Sequence, residues 1–317
     1  MMRQPGFAGG GIIRNPMALC IGTGWRIPPE SSGGISGIRM NLQKIKTTLA
    51  IPTFNACASA KSFLDGLKKQ TYQVDKIIVI DSSSSDDTVA IFKRGGASVH
   101  VIPKSSFDHG GTRQMAVDLV PDADVIIFAT QDIIFATDNS LKTLLDGFSD
   151  VSIGAVYGRQ LPSFDASPIA LHARLFNYHV NNSIKSCNDI PQLGMKTAFL
   201  SNSFAAYNRR ALMSVGGFPT GTIFGEDTQV AAKMILKGLK VAYCAEASVY
   251  HSHNLTYIAE LRRYFDIGVF HSREKWFVDA LGKAEGEGIK FVISEIKSLF
   301  VNNANFSECN NSCGHVQ

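Results

Sequence analysis

Four short apolar runs that alternate with segments of helical spacing constrain the fold of this chain most strongly. The runs occupy residues 48–51, 76–80, 98–102 and 124–128. Between the first two, apolar residues recur every three or four positions, as they do on one face of a helix. Strands and helices that alternate at such short intervals are typical of a mostly parallel sheet flanked by helices. The sequence therefore predicts an α/β fold.

Several of these runs end in polar residues that are suited to ligand contact. Asn55 follows the first run, Asp81 the second, and Gln131 with Asp132 the fourth. In sheets of this kind ligands bind beyond the carboxyl ends of the strands, so we expect these side chains to face one pocket. The chain has neither a GxGxxG turn after its first strand nor a GxxxxGK[ST] loop, which argues against dinucleotide and ATP binding.

Asp132 is the candidate metal ligand. Its carboxylate follows a buried strand and is expected to point into the cleft, where Mg²⁺ or Mn²⁺ could bind it together with substrate phosphate oxygens. A turn-initiating aspartate is an equally good interpretation. His251 and His253 flank one serine after another predicted strand, and alternate strand residues share a face. This pair could approach a metal or a diphosphate, although two ordinary loop histidines fit the same pattern.

Glu226 and Asp227 open a predicted helix and are candidates for general-base chemistry. A neighbouring carboxylate raises the pKa of a base and helps it to accept a hydroxyl proton. The alternative is capping and compensation of the helix dipole, which explains most acidic pairs at such positions. Both interpretations stay open on the sequence.

Two further residues are candidates for nucleotide binding. Asp81 could accept a hydrogen bond from the N3–H of a pyrimidine, or it could cap the helix that follows. Arg113 could form a charge-assisted contact with a nucleotide or its phosphates, or it could be a solvated helix arginine.

Charge and composition limit the partners. The chain has 31 Lys and Arg against 27 Asp and Glu, a net charge of +4. This balance fits an anionic substrate or membrane surface and, without a long basic stripe, does not indicate nucleic acid. No apolar run reaches the length of about 18 residues that a membrane span needs. Six scattered cysteines favour a reduced, cytoplasmic protein.

Composition also divides the chain into three parts. Residues 1–46 are rich in Gly, Pro and Ser, and residues 301–317 are rich in Asn and Ser, so both ends are expected to be disordered. Residues 47–300 are expected to form the folded domain. The helix predicted at Ile289–Phe300 has apolar residues on one side and lysines nearby. It could rest on the inner surface of the cell membrane or pack against the domain.

Six segments together carry a resemblance to a known family. In chain order they are Ile51–Asn55, Val79–Thr88, Phe107–Gln114, Ala129–Asp132, Gly225–Asp227 and His251–His253. Their order and spacing resemble those of the inverting glycosyltransferases of family 2, which have the GT-A fold, and in particular those of the bacterial rhamnosyltransferase branch. The resemblance covers about residues 47–300.

The resemblance implies an internal organisation of the domain. Residues 47–132 would form the nucleotide-binding half, residues 133–255 the acceptor and catalytic half, and residues 256–300 the C-terminal helices. The nucleotide-sugar pocket would be lined by Pro52, Thr53, Asn55, Asp81, Arg113 and Gln131.

The resemblance also implies the catalytic groups. Asp227 would be the catalytic base, with Glu226 beside it. Asp132 would bind the divalent ion, Mg²⁺ or Mn²⁺, and His253 or His251 would approach that ion or the diphosphate. The acceptor side would include Asn202, Lys196 and His251.

The chain departs from the family pattern in two places. Thr130 stands where the family's DxD element has its first aspartate, so one metal carboxylate is missing, although the branch in question tolerates a Thr-Gln-Asp sequence. The segment after about residue 300 differs from the family's usual C-terminal continuation.

The function that the resemblance implies is transfer of a sugar, L-rhamnose from dTDP-rhamnose, onto a growing surface polysaccharide such as O-antigen or onto a lipid-linked saccharide. Two alternatives stay open. One is a non-catalytic nucleotide-sugar-binding protein of the same fold, and the other is a family 2 transferase with a different donor such as a UDP-hexose. A nucleotidyltransferase has less support, because Pro-Thr-Phe-Asn occupies the place of its phosphate loop.

Overall fold

A single mixed sheet organises the chain. The computed structural model describes residues 45–222, 224–282 and 286–312, without the side chains of Tyr257, Glu287 and residues 301–312. Within these residues the strands are β1 Thr47–Thr53, β2 Lys76–Asp81, β3 Ser98–Val101, β4 Val125–Ala129, β5 Ile134–Phe135, β6 Ile153–Leu161, β7 Ser183–Lys185, β8 Phe204–Asn208 and β9 Lys240–Tyr250.

Helices connect these strands. They are α1 Cys57–Lys68, α2 Thr88–Arg94, α3 His109–Asp118, α4 Ser140–Asp146, α5 Pro168–Asn177, α6 Ile190–Leu193, α7 Arg209–Ser214, α8 Glu226–Leu236, α9 Tyr257–Arg273, α10 Lys275–Leu281 and α11 Glu287–Ser312. The start of α3 shows how the sequence sets a boundary. The Asp108 carboxylate accepts hydrogen bonds from the backbone N–H groups of Gly110 and Gly111, which would otherwise lack partners in the first helical turn.

The order of strands in the sheet is β3-β2-β1-β4-β8-β6-β9-β5, and β7 also pairs with β9. The first four strands are mutually parallel, as are β6 and β9. Strand β8 runs antiparallel to both of its neighbours, and β5 and β7 run antiparallel to β9. The predicted α/β architecture is confirmed, with parallel pairing concentrated in the N-terminal half.

The core has two layers, one on each face of the sheet. Alternate residues of a strand point to opposite faces, and β1 shows the division. Ala50 packs in a cluster with α3 and α8, whereas Leu49 and Ile51 pack with α1 and α4. Helices therefore cover both faces, as the continuous apolar runs of the parallel strands require.

Strand β9 contains a bulge that the sequence does not reveal. The apolar runs at 241–244 and 248–250 predict two strands, but the structure has one. Consecutive β6 residues Gly158 and Arg159 pair with Cys244 and Ser248 of β9, so residues 245–247 have no partner on β6. Ala245 packs with the α3 and α8 cluster and Ala247 with the α1 and α4 cluster. The inward and outward alternation is therefore inverted across the bulge.

The structure describes the two ends of the chain only in part. The disordered leader predicted for residues 1–46 lies outside the described residues except for its last two. Helix α11 runs into the predicted tail as far as Ser312, and the rest of that tail also lies outside. The division into domains stays a prediction. Among the described residues, no helix combines the length and the apolar character that crossing a bilayer requires.

Candidate active site

The ends of β1 and β2 are joined by a buried carboxylate. Asp81 is fully buried, and Thr53 Oγ1 donates to its Oδ2 over 2.8 Å. Ser84 donates to the same carboxylate from its backbone N at 2.8 Å and from its Oγ at 2.6 Å. Pro52 lies beside Ile80 in register, beyond the point where β1 pairs with β4, so its missing N–H interrupts no ladder there.

The ends of β1 and β4 are joined by a side-chain amide. Gln131 accepts from the Phe54 backbone N at 2.8 Å and donates to the Phe54 carbonyl at 3.1 Å. Asn55 has a left-handed φ of 47°, and its Oδ1 accepts from the Ser85 backbone N at 2.9 Å. The structure thus brings five of the six predicted nucleotide-pocket residues to one edge of the sheet, and their contacts with a nucleotide stay predictions.

Arg113, the sixth, is grouped with the acid pair. Its buried guanidinium lies 3.1 Å from Glu226 Oε1 and donates to the His109 carbonyl over 2.8 Å. Because both side chains of the ion pair are almost fully buried, removal of either partner would leave an uncompensated charge. The predicted contact between Arg113 and the nucleotide also stays a prediction.

The acid pair is held by one amide. Asn202 donates from its Nδ2 to Glu226 Oε1 over 3.1 Å and from its backbone N to Asp227 Oδ2 over 3.2 Å. The Tyr207 hydroxyl donates in turn to Asn202 Oδ1 over 2.6 Å. Both acids lie in the first turn of α8, where they compensate the helix dipole, and their chemical role stays a prediction.

A glycine allows the turn that presents these acids. Gly225 precedes α8 with a left-handed φ of 79°. A Cβ atom there would come within 2.8 Å of the Phe270 ring. Helix α9 therefore packs directly over the entry to α8, and only glycine fits this conformation and this close approach.

Asp227 has a raised pKa. Burial raises it first and the negative charge of Glu226 raises it further, to about 7, against the opposing effects of Arg113 and of the backbone N–H groups of Asn202 and Thr228. A carboxylate with a pKa near the working pH is suited to act as a general base, since it is ionised often enough and still holds a proton firmly.

Asp132, His251 and His253 form a cluster with metal-ligand chemistry. One ligand atom from each lies within 4.8 Å of the others. Asp132 Oδ1 is 3.4 Å from His251 Nε2, and Oδ2 is 3.7 Å from His253 Nε2. His251 Nε2 is buried and has no hydrogen-bond partner among the described residues. An unpartnered buried ring nitrogen beside a carboxylate fits a divalent cation, which carboxylate and imidazole ligands can share.

Charge states in this cluster favour a cation. Burial raises the pKa of Asp132, but the close contact with His251 and its charge, with the charge of His253, outweigh it and lower the pKa to about 2. Burial and the neighbouring His251 lower the pKa of His253. At neutral pH, Asp132 is ionised and His253 is neutral, and these are the forms that bind metal ions.

The predicted acceptor-side residues fall in three places. Asn202 contacts Glu226 and Asp227, and His251 belongs to the cluster that it forms with Asp132 and His253. Lys196 lies in a short 3₁₀ turn at Gly194–Ala198, and its carbonyl accepts from Lys185 Nζ at 3.1 Å. Their roles toward an acceptor stay predictions.

Contacts connect the two centres. The backbone N of Thr130, two residues before Asp132, donates to the Ser203 carbonyl over 3.2 Å. Ser203 follows Asn202 in the chain, and the backbone N of Asn202 donates to Asp227. The strand ends, the metal cluster and the acid pair thus form one continuous region.

Sequence reasoning missed three residues of this region. Tyr207 supports Asn202. Arg174 donates from Nε to the His251 carbonyl over 2.7 Å. Gln160 contacts His251. The one available signal was a glutamine within a β-strand pattern, next to Arg159 near the end of β6, and nothing in the sequence identifies its partner.

Comparisons with known proteins agree with this geometry. Residues 48–216 match the model of glycosyl transferase family 2. The chain is 52% identical over 259 residues, 81% of this chain and 82% of the relative, to the O-antigen chain rhamnosyltransferase RfbN of Salmonella typhimurium. It is 50% identical over 256 residues, 80% of this chain and 81% of the relative, to the O-antigen chain rhamnosyltransferase WbaN of Salmonella anatum.

Two solved structures share the fold at low sequence identity. One is the mannosyltransferase PcManGT of Pyrobaculum calidifontis in complex with GDP-Man and Mn²⁺, with a TM-score of 0.54, 16% identity and coverage of 91% of this chain and 81% of that one. The other is S. aureus TarS in complex with UDP-GlcNAc, with a TM-score of 0.57, 14% identity and coverage of 81% and 73%. From the matched family model and the two relatives that are at least half identical, the chain belongs to glycosyl transferase family 2 and has the GT-A fold.

Proposed function

We propose that this family 2 glycosyltransferase moves L-rhamnose from dTDP-rhamnose onto a growing O-antigen chain or a related lipid-linked saccharide, with inversion at the anomeric carbon. The two Salmonella relatives, both named O-antigen chain rhamnosyltransferases, support the sugar and the acceptor class. The observation that carries the chemistry is Asp227, a carboxylate of raised pKa held by Asn202 beside Glu226.

The proposed reaction is a single displacement. An acceptor hydroxyl oxygen attacks the anomeric carbon as the bond from that carbon to the diphosphate oxygen breaks. Asp227 takes the hydroxyl proton, and the nucleoside diphosphate leaves with the bonding electron pair. Glu226 serves the base indirectly, because its negative charge raises the pKa of Asp227, and its ion pair with Arg113 holds it in place.

The donor pocket is proposed at the ends of β1, β2 and β4. Asp81 would accept the N3–H of the pyrimidine, and Asn55 and Gln131 order the backbone around it. A thymine and a uracil both present that N3–H group, so a UDP-hexose is the alternative donor. A protein that binds nucleotide sugars without transferring them is the other alternative, and measured turnover distinguishes it.

Asp132 and His253, with His251, are proposed to hold the divalent cation. PcManGT, solved in complex with GDP-Man and Mn²⁺, supports an ion in this fold. Nitrogen ligands favour Mn²⁺ over Mg²⁺, which prefers oxygen. When bound, the cation would supply positive charge to a departing diphosphate.

Peripheral contact with the inner face of the cytoplasmic membrane is proposed for α11. One side of this helix packs on α5, where the Phe291 and Phe176 rings are 5.1 Å apart. The other side exposes an apolar stripe, flanked by Lys290 and Lys297, that consists of Ile289, Val292, Ile293, Ile296 and Phe300. An apolar stripe that is bordered along one side by two lysines suits the headgroup boundary of an anionic membrane.

The test uses purified full-length protein, Mn²⁺, a lipid-linked saccharide acceptor and a panel of dTDP-L-rhamnose, UDP-glucose and GDP-mannose. Released nucleoside diphosphate and product mass are measured. We expect turnover with dTDP-L-rhamnose, and a kcat lower by about two to four orders of magnitude in Asp227→Asn. Asp118→Asn, which changes an exposed carboxylate on α3, is the matched control. A near wild-type rate in Asp227→Asn would overturn the assignment of the base, and binding without turnover of any donor would overturn the enzymatic function.

A further inference from the structure

Gln160 has a buried carboxamide whose two ends reach different parts of the active site. The residue lies on β6 and is 4% exposed. Its Oε1 is 3.1 Å from His251 Nδ1, and its Nε2 donates to Ser201 Oγ over 2.9 Å. A buried amide with both ends engaged is costly to misplace. None of the steps proposed above uses Gln160.

The first contact determines how His251 faces the metal cluster. Gln160 Oε1 can only accept a hydrogen bond, so His251 Nδ1 carries the proton and donates it. With Nδ1 as the donor, Nε2 is the ring nitrogen that can offer a lone pair, and Nε2 faces Asp132. Metal-binding histidines almost always donate their second ring N–H in this way, which fixes both the tautomer and the ring orientation.

The second contact reaches the segment that holds the base. Ser201 Oγ accepts from the Ser203 backbone N at 3.4 Å and contacts Ser203 Oγ at the same distance. Asn202 lies between these serines and holds Glu226 and Asp227. Gln160 therefore anchors one side of the 201–203 segment, and the acid pair anchors the other.

Strand pairing keeps Gln160 next to His251. In the register that follows the β9 bulge, Gln160 is paired with Val249, two residues before His251. The backbone N of His251 donates to the Leu161 carbonyl over 2.9 Å, which fixes the histidine at the end of β6. The contact between Gln160 and His251 is thus set by the backbone as well as by the side chains.

We propose that Gln160 is a positioning residue that orients His251 for the divalent cation and, through Ser201, ties the cation ligands to the segment that carries Asp227. The inference rests on the proposed function. Gln160 thereby links the proposed cation ligands to the segment that carries the base, so that the distance between them is kept while substrates enter and products leave.

The experiment measures Mn²⁺ affinity by electron paramagnetic resonance of the free ion, on the purified full chain without substrate. Gln160→Met removes both polar contacts at a similar side-chain volume and is expected to weaken Mn²⁺ binding roughly ten- to one-hundred-fold. Gln160→Glu keeps an acceptor for the Nδ1 proton and is expected to retain affinity near the wild-type value. Gln73→Leu, at an exposed glutamine outside the site, is the control.

Ser201→Ala removes the contact between Gln160 and Ser201 and leaves the contact between Gln160 and His251 in place. We expect wild-type Mn²⁺ affinity in this variant, with a lower kcat and an unchanged KM for the donor, because only the link to the Asp227 segment is lost. Circular dichroism melting without metal identifies variants that fail to fold. If Gln160→Met fails to fold, Gln160→Glu and Ser201→Ala still decide the two halves of the inference.

The outcomes separate this inference from the function on which it rests. Wild-type Mn²⁺ affinity in folded Gln160→Met, or lost affinity in folded Gln160→Glu, would overturn the orienting role and leave the transferase proposal intact. An unchanged kcat in Ser201→Ala would overturn the link to the base. If the wild-type protein bound no Mn²⁺, the cation site and this inference would both fall.

Discussion

Replacement of Asp227 by asparagine tests the charge state of the candidate base through stability as well as turnover. Burial and the charge of Glu226 raise the pKa of Asp227 from 3.8 to about 7. Below pH 3.8 the folded and unfolded states are both protonated, and the folded state keeps the full benefit of the raised pKa. As the pH rises toward and through about 7, the unfolded chain releases the proton more readily, so that this benefit is lost. Asparagine has no proton to release.

The size of the effect follows from the shift. About three pKa units correspond to about 4 kcal/mol in the free energy of unfolding. Asp227 is half-buried, so water screens part of this energy. An asparagine oxygen can accept from only one of the two backbone N–H groups that now contact the carboxylate, those of Asn202 and Thr228, at a cost of about 1 kcal/mol. We therefore expect Asp227→Asn to be more stable than the wild type by about 1–3 kcal/mol at pH 8.

Urea denaturation followed by circular dichroism at pH 4.5 and pH 8 measures this difference. We expect the advantage of Asp227→Asn over the wild type to be small or negative at pH 4.5 and to develop as the pH rises. Asp118→Asn controls for the loss of a carboxylate from the surface and should show no such pH dependence. If the stability difference between Asp227→Asn and the wild type were the same at both pH values, Asp227 would not titrate near neutrality, and the reasoning would be refuted.

Three further predictions concern the cation, the turn before α8 and the stripe on α11. Excess EDTA should abolish sugar transfer and Mn²⁺ should restore it more fully than Mg²⁺; full activity in chelator would remove the cation from the mechanism. Gly225→Ala should lower the free energy of unfolding by about 1–3 kcal/mol, because it combines a left-handed φ with a clash against Phe270. Gly216→Ala, at a φ of 93° with open space around the added methyl, should cost only the backbone strain, and equal losses in the two variants in urea denaturation would contradict the close approach of α9. Cosedimentation with vesicles that contain anionic lipid should fall in the double variant Ile289→Glu and Phe300→Glu and stay unchanged in the exposed-site control Val151→Glu; retained binding in the double variant would exclude the stripe as the membrane contact.

The general plan of the fold could be predicted from the sequence because it depends on local pattern. The apolar runs at residues 49–51, 77–80 and 125–128 have no polar interruption, so their strand character and parallel pairing follow from composition and spacing. The positions of Asp81 and Asp132 at strand ends follow from the same pattern, since parallel strands end at one edge of the sheet.

The partners of individual side chains could not be predicted in the same way. Arg113 and Glu226 are separated by more than a hundred residues, and nothing local distinguishes an arginine that meets a nucleotide from one that pairs with a buried acid. Gln160 was missed for the same reason, because its contact with His251 depends on the register between β6 and β9. A register is a property of two strands and a bulge, and it has no signature in either strand alone.

The number of residues in the β9 bulge, 245–247, determines which face of the sheet each later residue of β9 points to. Because alternation along a strand has a period of two, an insertion or deletion of one residue there would exchange the two faces of residues 248–250 and rotate the following histidines out of reach of Asp132, whereas a change of two residues would keep the faces. Mn²⁺ titration of one- and two-residue deletions would show this odd–even rule directly. Insertions and deletions in this segment are therefore expected to occur in steps of two residues. Whether the number of added or removed residues is odd or even decides whether the cation ligands come together.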